Sequence, residues 1–277
     1  MKFLTNAEEG GTMQVAMRGE GTPVLLFIHG FASGAEDWDA QAGYFAGAHH
    51  CAAVTLRGHG GTARGDGALS IEAFADDCAA LIEREEWTNV ITVGHSMGTR
   101  IAAETAVRAA GAVKGVVLVD GSNMAQSGRR AALESFDDAL GRAGFEAFAK
   151  SLFEAMFFDD QHGAIAEQLV ARATRFDPAY GQELYRNMVR WDADRFEDVM
   201  AAVDQPMLMI QGTTRGPDGI RRPLEDDERG AFENLILAIK PDVEVYALPG
   251  HGHFVTYEAP DAVNRAIANW MDGNGLR

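Results

Sequence analysis

One five-residue segment has the composition of a nucleophilic turn. Residues 94–98 read GHSMG, which fits the pattern Gly-x-Ser-x-Gly, with the strand-forming run NVITV before it and a helical pattern after it. A serine on such a strand-to-helix turn is held in a strained conformation that points its hydroxyl out of the sheet. The two glycines, Gly94 and Gly98, are needed because a side chain there would collide with the neighbouring strand or helix. Ser96 is therefore the candidate nucleophile.

A second segment near the C-terminal end offers a base. Residues 249–254 read PGHGHF and lie between a predicted strand and the last predicted helix. With an ordinary pKa near 6.5, a histidine can take and return a proton near neutrality. The segment contains two histidines, His251 and His253, as candidates for this role.

The elements that position these residues alternate between strands and helices. Six short apolar runs are predicted to be strands, at 23–29, 51–56, 89–94, 113–120, 206–211 and 243–248. They are continuous enough to be buried on both faces, as parallel strands are. Amphipathic helices lie between them, one starting after Ser70 as a predicted N-cap. This alternation predicts a mostly parallel, doubly wound α/β sheet.

The alternation stops between residues 123 and 202. This region has no strand pattern and is rich in large apolar residues at helical spacing, including Phe145, Phe153 and Trp191. It is predicted to be a helical insertion over the sheet, here called the lid (residues 123–202). Residues 1–122 and 203–277 are predicted to form the α/β core.

Composition restricts the partners. The formal net charge of −17 makes nucleic acid and anionic membrane surfaces poor partners.

No apolar run reaches the length of a signal peptide or a membrane span, so a cytoplasmic location is expected. No metal-ligand spacing and no Gly-x-Gly-x-x-Gly after a strand occur, so neither metal nor other cofactor is predicted. The expected partner is a small-molecule substrate, and the expected state is a monomer or homodimer.

On these motifs the chain resembles the α/β-hydrolase superfamily, with a helical lid inserted late in the chain. Residues 29–31 (HGF) are similar to the loop that carries one oxyanion donor, and 56–60 (LRGHG) to a turn found in many members. The resemblance implies an oxyanion hole built from the backbone N–H groups of Phe31 and Met97. It also implies His253 rather than His251 as the base, because residues 250–253 resemble the family's G-x-G-H segment.

The acid departs from the majority pattern of the superfamily. Most members place it in the turn after the strand that follows the insertion, where this chain has Arg215. The nearest carboxylate beyond it is Asp218. A minority place the acid one strand earlier, where this chain has Asp120. Since neighbouring parallel strands lie about 4.8 Å apart, an acid there can reach the same histidine. Asp120 is favoured, and Asp218 stays open.

The resemblance implies hydrolysis of a small, apolar or aromatic ester, lactone or related acyl substrate by the triad Ser96, Asp120 and His253. Two alternatives stay open. One is cofactor-free dioxygenation through a His/Asp dyad, and the other is a ligand-binding receptor that retains the triad. The substrate-binding residues are predicted to include His29, Gly30, His95 and Trp191. Arginines of the insertion such as Arg172 could recognise a substrate carboxylate, although solvated helix faces explain them better.

Overall fold

The structure is a computed structural model that describes residues 2–5, 12–158, 161–216 and 219–277. Ten strands are described: β1 (Lys2–Thr5), β2 (Thr12–Arg18), β3 (Val24–Ile28), β4 (His50–Thr55), β5 (Val90–His95), β6 (Val113–Val119), β7 (Met207–Gln211), β8 (Thr213–Arg215), β9 (Arg221–Pro223) and β10 (Glu244–Ala247). The helices are α1 (Asp39–Phe45), α2 (Ile71–Arg84), α3 (Met97–Arg108), α4 (Arg129–Glu154), α5 (Gly163–Thr174), α6 (Pro178–Asp194), α7 (Phe196–Ala202), α8 (Ala231–Ile239), α9 (Val255–Glu258) and α10 (Pro260–Gly273).

Eight strands form one sheet in the order β1-β2-β4-β3-β5-β6-β7-β10. From β4 to β10 every neighbouring pair is parallel, whereas β2 pairs antiparallel with both β1 and β4. The mostly parallel α/β sheet predicted from the sequence is therefore confirmed. Strands β8 and β9 pair with each other in a separate antiparallel hairpin.

The central strands are buried on both faces, as their continuous apolar composition predicted. In β3, Leu26 and Ile28 point into one apolar cluster, and Leu25 and Phe27 point into the cluster on the other side. The predicted N-cap is also present, since Ser70 Oγ accepts a hydrogen bond from the Ala73 N–H at 3.1 Å.

One strand does not match the predicted burial. The run 243–248 forms β10, but β10 has only one neighbour, β7, and three of its four residues are exposed. An edge strand can keep apolar residues without being covered on both faces. The prediction of double burial is wrong for this strand.

Four helices, α4 to α7, occupy the chain between β6 and β7, where the helical lid was predicted. Helix α4 changes direction at Gly144, whose φ of 78° lies outside the helical region. Several ion pairs join the lid to the rest of the molecule, among them Arg100 of α3 with Asp192 of α6 at 2.5 Å and Arg172 of α5 with Asp37 at 2.6 Å. Over the described residues, no helix has both the length and the apolar character needed to cross a membrane.

Candidate active site

Ser96 lies between β5 and α3 in a strained backbone conformation. Its φ of 55° and ψ of −114° fall where side-chain-bearing residues are rarely found. The glycines around it allow the turn to close. A Cβ atom at Gly94 would lie 2.0 Å from the carbonyl oxygen of Gly98, and one at Gly98 would lie 2.2 Å from that of Ile28. The serine is thus held at the carboxyl edge of the sheet by its neighbours.

His253 and Asp120 lie together at the same edge of the sheet. The Nδ1 atom of His253 is 2.5 Å from Oδ2 of Asp120, and both side chains are buried. Asp120 directly follows β6 and has a φ of 42°, a second strained position at the site. Asp120 therefore has the position and distance needed to accept the Nδ1–H of His253 and leave Nε2 free to act as a base.

The Asp120 carboxylate is held by the turn after β7. Its Oδ1 accepts the backbone N–H groups of Gly212 at 2.7 Å and Thr213 at 2.8 Å, and its Oδ2 accepts the Thr213 hydroxyl at 2.6 Å. This is the turn in which most members carry the acid. Here it supplies hydrogen-bond donors to an acid on the neighbouring strand. The alternative acid, Asp218, lies outside the described residues.

Arg221 of β9 completes this cluster and was not identified from the sequence. Its Nη1 lies 3.1 Å from Oδ2 of Asp120, 2.5 Å from the Thr213 hydroxyl and 3.1 Å from Nδ1 of His253. The Nδ1–H of His253 donates to Asp120. The imidazole ring of His253 and the guanidinium of Arg221 therefore both direct N–H groups at the same carboxylate. Burial lowers the pKa of Arg221 to about 10, although Asp120 opposes the shift. At neutral pH the guanidinium therefore stays charged.

The surroundings of His253 favour its neutral form. Burial lowers its pKa well below 6.5, and the positive charges of Arg221, Arg215 and Arg100, together with His95, lower it further. A base with a lowered pKa stays unprotonated as the pH falls through 6.5. For Asp120, burial raises the pKa, while Arg221 and Thr213 oppose the shift.

Ser96 and His253 open into one cavity between the sheet edge and the lid. The residues that line it are Gly30, Phe31, Ser33, His95, Ser96, Met97, Arg100, Ser122, Met124, Leu152, Phe153, Met156, Tyr185, Met188, Arg215, Arg221, His253 and Phe254. The lid contributes a largely apolar wall. No hydrogen bond joins Ser96 to His253 within the part of the chain that the structure describes, and such bonds are often long before a substrate binds.

The predicted oxyanion donors also face this cavity. Phe31 and Met97 both line it together with Ser96. Met97 is the first residue of α3, and the N–H groups of a helix's first turn have no acceptor within the helix. The adjacent Ala32 has a φ of 53°, so the loop after β3 is a third place of backbone strain at the site.

A sequence model described as the alpha/beta hydrolase family matches residues 25–266. The chain belongs to this family. The 2-(acetamidomethylene)succinate hydrolase of Mesorhizobium japonicum is 26% identical over 272 residues, covering 94% of this chain and 92% of that protein. Esterase YbfF of Escherichia coli is 24% identical over 268 residues, covering 94% and 97%. The structure of a thermophilic esterase from Thermogutta terrifontis has a TM-score of 0.78 at 22% identity, over 99% of both chains.

Two residues predicted to bind substrate in this hydrolase do not line the cavity. His29 is fully buried, donates from Nδ1 to the Gly30 carbonyl at 2.7 Å and accepts the Leu56 N–H at Nε2. Burial lowers its pKa to about 4. Trp191 belongs to the lid helix α6, and its indole N–H donates to Glu104 of α3 at 2.8 Å. Both side chains have structural hydrogen-bond partners, and their contact with substrate stays a prediction that this placement does not support.

The other two predicted residues, Gly30 and His95, do line the cavity. A Cβ atom at Gly30 would lie 3.1 Å from Cβ of Ser96, so this glycine keeps space open beside the nucleophile. The Nε2–H of His95 donates to the carbonyl oxygen of His253 at 2.9 Å. His95 thereby supports the segment that carries the base. Their contact with substrate stays a prediction.

The described residues contain no group of three or more His, Cys, Asp or Glu side chains placed to hold a metal ion. The polar side chains of the cavity are instead hydroxyl groups, histidines and three arginines. These groups can transfer protons and bind negative charge.

Proposed function

We propose that this hydrolase cleaves a small carboxylic ester, lactone or related acyl substrate through an acyl-enzyme on Ser96. The observation that carries the proposal is the 2.5 Å contact between His253 Nδ1 and Asp120 Oδ2, beside the strained turn of Ser96. Relatives named as a hydrolase and an esterase over more than nine-tenths of the chain support it. So does structural similarity to an enol-lactonase from Burkholderia xenovorans, with a TM-score of 0.75.

In the proposed first half-reaction, Ser96 Oγ attacks the substrate carbonyl carbon and its proton passes to Nε2 of His253. Asp120 stabilises the resulting imidazolium through the Nδ1–H. The negative charge on the carbonyl oxygen is stabilised by the N–H groups of Phe31 and Met97. The carbon–oxygen bond of the ester then breaks, and the leaving alcohol takes the proton from Nε2.

In the second half-reaction, water attacks the acyl-enzyme. His253 takes a proton from this water and returns it to Ser96 Oγ as the carboxylic acid product leaves. The apolar side chains of the lid, such as Phe153 and Met156, exclude bulk water and favour an apolar or aromatic acyl group.

A fluorophosphonate probe tests the nucleophile without knowledge of the substrate. It should add one mass label to the peptide that contains Ser96, and Ser96→Ala should abolish the label. Ser122→Ala is the matched control, because Ser122 lines the same cavity and follows the neighbouring strand β6. A label that persists in Ser96→Ala, or is lost in Ser122→Ala, would refute the assignment.

The same variant separates hydrolysis from the two alternatives. A dioxygenase that works through the His253–Asp120 dyad would consume O₂ with a quinolone and keep most of its activity in Ser96→Ala. A receptor would bind a ligand, show negligible turnover in the wild type, and gain a ligand-dependent protein partner.

A further inference from the structure

The charge of the cavity is opposite to the charge of the molecule. The whole chain has a formal net charge of −17. Among the described residues that line the cavity, three are arginines and none is an aspartate or glutamate. Positive charge that lines a cavity attracts and orients an anionic ligand.

Two of the three arginines are neutralised by buried carboxylates. Arg100 forms two hydrogen bonds to Asp192, at 2.7 Å from Nε and 2.5 Å from Nη2. Arg221 lies 3.1 Å from Asp120, as described above. Each pair contributes close to zero net charge to the cavity. Their structural roles, in holding the lid and the acid, leave little capacity for a ligand.

Arg215 differs from these two arginines. Its Nη1 donates to the carbonyl oxygen of Gly219 at 2.8 Å, and its buried Nε–H has no hydrogen-bond partner. No carboxylate lies within ion-pair distance of it across the described ranges 2–5, 12–158, 161–216 and 219–277. A buried donor without a partner costs free energy unless a ligand satisfies it. Among the described residues, Arg215 is therefore the one arginine of the cavity lining that has no carboxylate partner.

Tyr185 of α6 provides a second donor beside Arg215. Its ring is fixed by Phe136 at 4.2 Å between ring centroids, by Phe148 at 5.1 Å and by Phe31 at 6.2 Å. Within the described part of the chain its hydroxyl makes no hydrogen bond, although the residue lines the cavity. Burial raises the pKa of Tyr185, and the nearby charge of Arg215 opposes the shift. The hydroxyl keeps its proton at neutral pH and can donate it to an anion.

We infer that Arg215 and Tyr185 form a binding subsite for a carboxylate group of the substrate, separate from the acyl carbon that Ser96 attacks. This inference rests on the proposed function for the identity of the reacting group. One planar guanidinium and one hydroxyl match a single planar monoanion, which can accept two hydrogen bonds from arginine. The substrate class is thus a carboxylate-bearing ester, lactone or related acyl compound.

The insertion arginines considered from the sequence, such as Arg172, do not line this cavity. Arg172 pairs with Asp37 and Glu36 at 2.6 Å, outside the cavity lining. Arg215 instead occupies the place where most family members carry the triad acid. Because Asp120 holds His253 from the neighbouring strand, the position at 215 is free to face the substrate.

Two p-nitrophenyl esters of equal acyl length test the inference: the hydrogen succinate, which ends in a carboxylate, and the neutral butyrate. The wild type should prefer the succinate in kcat/KM. Arg215→Met should lower the succinate-to-butyrate ratio at least about tenfold, mainly through KM, as expected for loss of a charged hydrogen bond. Arg215→Lys should retain part of the preference, and Tyr185→Phe should lower the ratio less.

Arg190→Met is the control, because Arg190 is exposed on α6 and does not line the cavity. It should leave the ratio unchanged. A wild type that prefers the butyrate, or an Arg215→Met variant that folds and keeps the wild-type ratio, would overturn the inference.

A binding measurement separates failure of this inference from failure of the proposed function. Calorimetry with monomethyl succinate should detect binding to Ser96→Ala and a loss of affinity of at least about tenfold in Ser96→Ala/Arg215→Met. If a fluorophosphonate does not label Ser96 but this difference is found, the hydrolase proposal fails and the carboxylate subsite stands. If Ser96 is labelled but monomethyl succinate binds both variants equally, the subsite is wrong and the hydrolase proposal stands.

Discussion

The turn after β6 and the turn after β7 lie side by side at one edge of the sheet, and they carry opposite charges. The β6 turn (residues 120–122) contributes the carboxylate of Asp120. The β7 turn (residues 212–215) contributes two backbone N–H groups, a hydroxyl and the guanidinium of Arg215. In most members of the family the β7 turn carries the acid.

In this chain the contact to His253 comes from the turn after β6, the strand next to β7. Moving the acid to the β6 turn has two consequences. The β7 turn becomes a set of donors that holds the carboxylate, and its last residue becomes free to act as a cation in the cavity. The proposed catalytic acid and the proposed carboxylate subsite at Arg215 therefore lie on neighbouring turns.

Replacing His253, the histidine that Asp120 of the β6 turn contacts, should have the largest effect on kcat. His253→Ala should lower kcat by about three or more orders of magnitude, because it removes the base that takes the Ser96 proton in the proposed mechanism. His251→Ala, two residues away in the same segment, is the control and should cost far less. Steady-state kinetics on a p-nitrophenyl ester measures both, and the reverse order would place the base at residue 251.

Replacing Arg221, whose guanidinium contacts Asp120 of the β6 turn and Thr213 of the β7 turn, should have an intermediate effect on kcat. Arg221→Met should lower kcat by about ten- to a hundredfold, because Asp120 loses a charged hydrogen bond. Arg221 also lowers the pKa of His253. The acidic limb of kcat/KM, expected below pH 6.5 in the wild type, should therefore move to higher pH.

Arg222→Met is the matched control for Arg221→Met. Arg222 is the next residue of β9, and its guanidinium pairs with Glu228 at 2.6 Å. The pH profile of kcat/KM in the Arg222→Met variant should match that of the wild type. An Arg221→Met profile that does not move would mean that Arg221 only supports the fold.

The smallest effect is expected within the β7 turn. Thr213→Val removes the hydroxyl that donates to Asp120 at 2.6 Å, but the two backbone donors remain, so kcat should fall by about tenfold or less. Thr214→Val is the control. Its hydroxyl accepts the Ala231 N–H at 3.0 Å and does not touch the acid. Equal losses in kcat in the two variants would indicate a general effect on the turn.

Much of this comparison could be predicted from the sequence. Six strands were visible because parallel strands buried on both faces are continuous apolar runs. The turns that carry Ser96, Asp120 and His253 were visible because each directly follows such a run. Strands β1 and β2 were missed, since β1 has only four residues and the apolar run of β2 is interrupted by Gln14.

The role of Arg221 could not be predicted. It depends on the pairing of β8 with β9, two strands of three residues each, which brings residue 221 opposite residue 215. No local pattern signals such a pairing. The lid gives a second example: the apolar stripe of α6 predicted burial, but it could not show that Tyr185 faces the cavity while Trp191 packs against α3.

The rate at which a fluorophosphonate labels Ser96 in Asp120→Asn and Asp218→Asn tests the central claim most directly. This rate reports activation of the nucleophile and needs no knowledge of the substrate. If the β6 turn supplies the acid, Asp120→Asn should slow labelling by about a thousandfold, because an amide favours the wrong tautomer of His253. Asp218→Asn should then change the rate by less than about tenfold. Slow labelling in Asp218→Asn with wild-type labelling in Asp120→Asn would contradict the account and place the acid in the loop after β8.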